Sequence, residues 1–146
     1  MKEYGLIQST RVAVQFEGDV LLLRRHDDSK NLGGFWEFPG GGIIQGESVV
    51  AAGHREVLEE SGQDVEMLTL APLILDDREI DNGTHLKKTI RAFGLMGLAQ
   101  SRAVILSPEH SDSSWVDPHK LDKLQNVTVD TKRVAQGLAW LMGIKL

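Results

Sequence analysis

The sequence predicts an α/β fold, a mixed β-sheet covered on both faces by helices. Three features support this. Apolar runs of strand length recur at Val12–Phe16, Val20–Leu23 and within Lys88–Leu98. A helix is predicted from about Glu47 to Ser61, with Gly62 placed to cap its end. A second, amphipathic helix starts near Asp130, a candidate N-cap, with Val134, Leu138 and Leu141 on one stripe. At 146 residues the chain reads as one domain, 1–146, with enough material for a substantial core.

Taken in order, Val12–Phe16 and Val20–Leu23 form a strand pair joined by the turn Glu17-Gly18-Asp19. The polar stretch His26–Asn31, extended by Gly33-Gly34, is a flexible loop. Phe35–Phe38 is a short strand stopped by Pro39, and Gly40-Gly41-Gly42 is a loop that turns sharply and approaches a ligand. On the helix that follows, Val50 and Val57 face the sheet. Val65–Leu75 carries one or two strand-like runs, limited by Pro72, and Asp81-Asn82-Gly83 is a turn. Lys88–Leu98 is a strand and Ala103–Leu106 a short apolar run. A loop then leads to a strand at Trp115-Val116, and Pro118–Leu124 forms one or two helical turns.

Composition excludes several classes. Without cysteine there are no disulfides, thiolate nucleophiles, zinc-thiolate sites or iron–sulfur clusters. The formal net charge of −5 argues against a nucleic-acid-coating role and requires local cations wherever an anionic ligand binds. No stretch approaches membrane-spanning length and the start lacks an apolar signal core, so a cytoplasmic protein without membrane partners is expected. The histidines His26, His54, His85, His110 and His119 are scattered and read as surface or hydrogen-bonded residues.

The chemistry concentrates between Gly41 and Gly62. Five residues separate Gly41 from Glu47, seven separate Glu47 from Arg55, and Arg55-Glu56-Val57-Leu58-Glu59-Glu60 follows. On a helix, Glu56, Glu59 and Glu60 share one face. Acidic helix faces are commonly just solvated, but this cluster opposes its own helix. Like charges four residues apart repel, and Glu59 and Glu60 lie near the negative end of the helix dipole. A divalent cation satisfies such a face, and beside a Gly-rich loop it points to phosphate chemistry. Arg55 reads as an orienting group that holds Glu47 or Glu59 through paired hydrogen bonds.

Gly41, Glu47, Arg55, Glu56, Val57, Glu59, Glu60 and Gly62 resemble the signature box of the Nudix hydrolases. The box spans about one sixth of the chain, and flanking similarities extend over most of the rest. One position departs: Gln63 stands where the family has an aliphatic residue packing the helix end. The resemblance implies an α/β/α sandwich and metal-dependent hydrolysis of a nucleoside diphosphate linked to another group. It implies metal ligation by Glu56, Glu59, Glu60 and the Gly40 carbonyl. Magnesium suits that oxygen shell, and manganese would also fit. The general base is left open between the box carboxylates and a later loop, where Asp112 and Glu109 are candidates.

Arg24-Arg25, the polar loop and Trp36–Gly41 resemble the MutT-like branch, which cleaves nucleoside triphosphates, oxidised ones included, to monophosphate and pyrophosphate. In that branch the residues matching Arg25 and Phe38 lie near the nucleotide, and Asn126 falls roughly where an Asn reads the base. Joined to Glu47 and the acidic face, the Gly40-Gly41-Gly42 loop reads as a wall of the metal–phosphate site, with Gly41 against the substrate. ADP-ribose and nucleotide-sugar cleavage are alternatives. So is a module that binds nucleotide and has lost catalysis, although retention of all three box carboxylates speaks against it. The expected partner is a small nucleotide, with a homodimer left open.

Overall fold

The computed structural model describes residues 5–68, 73–81 and 87–139. The strands are β1 (Gly5–Phe16), β2 (Asp19–Arg25), β3 (Trp36–Glu37), β4 (Gly40–Gly42), β5 (Glu66–Met67), β6 (Leu73–Asp81), β7 (Lys87–Leu98) and β8 (His110–Val116). The helices are α1 (Val49–Ser61) and α2 (Val129–Gly137), with a 3-10 segment at Pro118–Lys123. The expected features at Pro72, Asn82-Gly83, His85 and Leu141 lie outside the described residues.

The sheet is mixed. β1 runs parallel to β7 along Gly5–Gln15, and its other neighbours β2 and β4 are antiparallel to it. β3 and β8 flank β2, while β5 and β6 pair with β7. The turn after β1 places Glu17 at φ 49° and Gly18 at φ 85°, the left-handed pair that a two-residue hairpin turn requires.

Alternate residues of the central strands enter two cores. Ala13, Val20, Leu22, Phe38 and Met96 pack with Leu121, Val134 and Leu138 on the α2 side. Val12, Val14, Leu21, Leu23 and Leu95 pack with Val57 on the α1 side, and Val50 flanks this second core. A sheet buried on both faces needs apolar residues in both registers, which is why β1 and β2 read as continuous apolar runs. The result is an α/β/α sandwich.

Several boundaries move for identifiable reasons. Ser48, not Glu47, caps α1, its Oγ accepting the Ala51 N–H at 3.1 Å. Gly62 ends that helix in the left-handed conformation, φ 73°. The expected glycine loop is the strand β4, because β1 is long enough to pair with it at Ser9–Arg11, beyond the stretch matched by β2. Thr128 stands at the α2 N-cap in place of Asp130, whose carboxylate is drawn to Arg11 Nε at 2.8 Å. Gln63 is buried where an aliphatic residue was expected, and its amide donates to the Ser101 carbonyl at 3.0 Å and to that of Ala103. Ala103–Leu106 forms no strand, although Val104 and Leu106 cover the α1-side core.

Candidate active site

The site lies where the end of α1 meets β4. In the β1–β4 ladder the main-chain groups of Pro39 and Ile43 bond across to β1. Gly40 and Gly42 therefore direct theirs away from β1, toward α1. Glu60 Oε1 accepts the Gly40 N–H at 2.9 Å, and the Gly42 carbonyl accepts Arg55 Nη2 at 3.0 Å. The Gly40 carbonyl, expected as a metal ligand, belongs to the same α1-facing set. Glycine is needed here for closeness. A Cβ on Gly41 would lie 2.7 Å from the Glu56 carboxyl carbon, and one on Gly40 would lie 2.0 Å from the Thr10 carbonyl oxygen.

Arg55 gathers the outer carboxylates. Its Nε and Nη2 make a two-pronged pair with Glu47 at 2.8 and 3.0 Å. Its Nη1 reaches Glu56 at 2.9 Å and Glu59 at 3.3 Å. The Arg55 hydrogen bonds hold the Glu47 carboxyl below the usual carboxylate range. The expected convergence of three carboxylates is thus divided. Glu56 and Glu59 share Arg55, while Glu60 turns inward and is buried. Burial pushes the Glu60 carboxyl up to about 8, against the pull of the Gly40 N–H and Arg11, with Glu37 and Glu56 adding repulsion.

Behind Glu60 lies a buried polar chain that no local motif announced. His110 Nε2 contacts Glu37 Oε1 at 3.0 Å, and His110 Nδ1 faces Glu60 Oε2 at 3.4 Å. Glu37 also meets Arg25 at 3.2 Å and Arg11 at 3.4 Å, and Arg11 continues to Asp130. Burial alone would raise the Glu37 pKa. The His110 hydrogen bond and the charges of Arg11 and Arg25 outweigh it, so the net shift is downward. His110, read from the sequence as a surface or hydrogen-bonded residue, is the latter, buried and bonded to Glu37. Among the described residues, Glu37, Glu60 and His110 form the group whose ligand-type atoms lie within 4.8 Å of one another.

The remaining expected residues separate. The Phe38 ring, expected near the nucleotide, is fully buried in the α2-side core. Arg25 is half-buried and engaged with Glu37 and, through Nε, the Asn31 carbonyl at 3.0 Å. Asp112 is exposed on β8 and accepts its neighbour Ser113 N–H at 2.8 Å. Glu109 is exposed just before that strand. Asn126 adopts a left-handed φ of 59°, and its carbonyl accepts the Trp36 N–H at 2.7 Å.

A family model, the NUDIX domain, matches residues 7–138. The chain belongs to the Nudix family. A nucleoside triphosphatase NudI of Escherichia coli O139:H28 is 30% identical over 113 residues, which is 74% of this chain and 79% of the relative. A crystal structure of a MutT protein from Methanosarcina mazei Go1 matches with a TM-score of 0.74 and 27% identity, covering 95% of this chain and 96% of that one. An ADP-ribose pyrophosphatase from Streptococcus suis 89-1591 shares the fold, with a TM-score of 0.64 and 22% identity over 94% of this chain and 90% of its own. The protein is a Nudix pyrophosphohydrolase acting on nucleoside diphosphate derivatives. Among the described residues, no helix is long and apolar enough to cross a membrane.

Proposed function

We propose that this enzyme hydrolyses a nucleoside triphosphate to the monophosphate and pyrophosphate, with magnesium at the junction of β4 and α1. One observation carries the reading: Arg55 holds Glu47, Glu56 and Glu59 beside the α1-facing backbone of Gly40 and Gly42. The donor set there is all oxygen, as magnesium prefers, and the missing Gly41 Cβ leaves the room that the Glu56 carboxylate occupies. Glu56, Glu59, Glu60 and the Gly40 carbonyl would hold the metal. When bound, the ion supplies neutralisation of the phosphates and a more acidic water.

The protein's own groups do the rest. Arg55 restrains Glu47 and Glu56 in fixed rotamers, so the carboxylates meet a ligand already oriented. The Gly40 N–H fixes one oxygen of Glu60. Glu59, the exposed member of the cluster, would take the proton of the attacking water. The triphosphate reading is supported by similarity to the relative named as a nucleoside triphosphatase.

The test is a nucleotide panel with product analysis. Magnesium should support release of pyrophosphate rather than orthophosphate from a triphosphate. Glu59→Gln should lower turnover by more than about 100-fold. Full activity in chelator, or in Glu59→Gln, refutes the mechanism; preference for ADP-ribose or a nucleotide sugar refutes the substrate.

A further inference from the structure

Glu60 is the inner carboxylate of the cluster, and its environment is uneven. Its side chain is 4% exposed. Oε1 has the Gly40 N–H, whereas the neighbour found for Oε2 is His110 Nδ1 at 3.4 Å, an ion-pair spacing that makes no hydrogen bond. That nitrogen is itself a buried polar atom without a hydrogen-bond partner among the described residues, on a ring only 1% exposed. Such an atom is costly to leave unmet, and here it points at a carboxylate from behind. The other ring nitrogen is anchored on Glu37 at 3.0 Å, and Glu37 is fixed in turn by Arg11 and Arg25. The imidazole therefore cannot swing to another partner without breaking a buried contact.

A metal held by the ring itself fits these surroundings poorly. Two guanidinium groups already neutralise Glu37, within 3.2 and 3.4 Å of its oxygens. A cation between Glu37 and His110 would face both. The chain of charges runs from Asp130 through Arg11, Glu37 and His110 to Glu60, whose other oxygen meets the Gly40 N–H on the side of Glu56.

We infer that His110 is a positioning residue, which with Glu37 forms a rigid backstop that orients Glu60 and, through the Gly40 N–H, the β4 backbone toward the metal. This rests on Glu60 being a metal ligand, as proposed above. Ring nitrogens and carboxylates that orient ligands in this way set metal affinity, and their loss typically costs 10–100-fold.

The test measures Mn²⁺ binding to the full chain by calorimetry without nucleotide, alongside magnesium activation at saturating nucleotide. His110→Gln and Glu37→Leu should weaken Mn²⁺ binding 10–100-fold with unchanged stoichiometry, and should raise the magnesium needed for half-activation by a similar factor. The nucleotide KM at saturating magnesium should change less than about two-fold. Glu37→Gln, whose amide oxygen still accepts from the ring, should recover most of the affinity lost in Glu37→Leu. Unchanged Mn²⁺ affinity in His110→Gln overturns the inference while leaving the hydrolase reading intact. Loss of one bound ion also overturns it, since the ring would then be a ligand. Should the variants not fold, nitrogen NMR of the wild-type histidine rings decides. The His110 resonances should move on adding Mg²⁺, and their immobility overturns the inference. Activity in chelator would instead strike the metal reading on which it rests.

Discussion

Arg11→Met isolates the buried end of the polar chain. Arg11 is 14% exposed and makes a close pair with Asp130 at 2.8 Å, a looser one with Glu37 at 3.4 Å, and a hydrogen bond to the Phe38 carbonyl at 3.2 Å. The Asp130 contact is charge-assisted and mostly buried, so its loss is set at about 2 kcal/mol. Glu37 keeps Arg25 and His110, so about 1 kcal/mol is lost there, and the carbonyl adds about 1 kcal/mol. The total of about 4 kcal/mol lies within the 3–5 kcal/mol expected when one partner is removed from a buried ion pair. For a chain of this size that lowers the melting temperature by roughly 8–16 °C. Urea unfolding at several pH values, in chelator, measures it. In the wild type, Asp130 is raised by burial but lowered further by Arg11, Thr128 and Thr131, so its net pKa is depressed, as is that of Glu37. Their stabilisation is therefore present above the unfolded pKa near ~4 and is lost as the pH falls through the folded values. Without Arg11, burial dominates at Asp130 and its charge becomes a penalty at pH 7 that protonation relieves. The gap between wild type and variant should narrow on acidification toward pH 4. A cost under about 1 kcal/mol at pH 7, or a gap that widens in acid, would refute the buried chain.

Three further outcomes follow from the same geometry. The metal-free protein should lose stability as the pH rises from about 4.3 toward 8, because Glu60 is ionised in the unfolded chain but held protonated by burial in the folded one. Glu60→Gln should remove that loss, being more stable than wild type at pH 8.5 in chelator by on the order of 2 kcal/mol while hydrolysing less; a gap independent of pH would contradict the assignment. Gly41→Ala puts a methyl 2.7 Å from the Glu56 carboxyl carbon, which can give way at the far end of its chain. Turnover should therefore fall about 10–100-fold with the melting temperature nearly unchanged, and wild-type turnover would show that Glu56 need not sit there. Gln63→Ala removes the amide that holds the Ser101 and Ala103 carbonyls, so thermal unfolding should register a cost of about 1–2 kcal/mol with turnover within about two-fold.

The outer half of the site was readable in the sequence because its geometry is local. Arg55, Glu56 and Glu59 lie within one turn and a half of helix, and α1 brings them together whatever the sheet does. The inner half required the topology. His110 reaches Glu37 only because β8 and β3 both flank β2, and Arg11 reaches Asp130 only because α2 packs back over β1. Each of these residues, taken in its own segment, looks like an ordinary polar interruption of a strand or a cap. Glu37 and Phe38 show the difficulty most clearly. They are neighbours on the run into β4, one an anchor of the charge chain and the other core, although the resemblance placed the aromatic near the nucleotide. A wholly enclosed ring has no free face to stack on a base. An enclosed carboxylate, by contrast, cannot remain charged without partners, so a polar residue in a buried strand is itself a sign that distant charges converge on it. By that reasoning Glu37, set between Trp36 and Phe38, was the residue in the glycine-leading segment whose partners most needed finding. Those partners, His110 among them, connect the local carboxylate cluster to the rest of the fold.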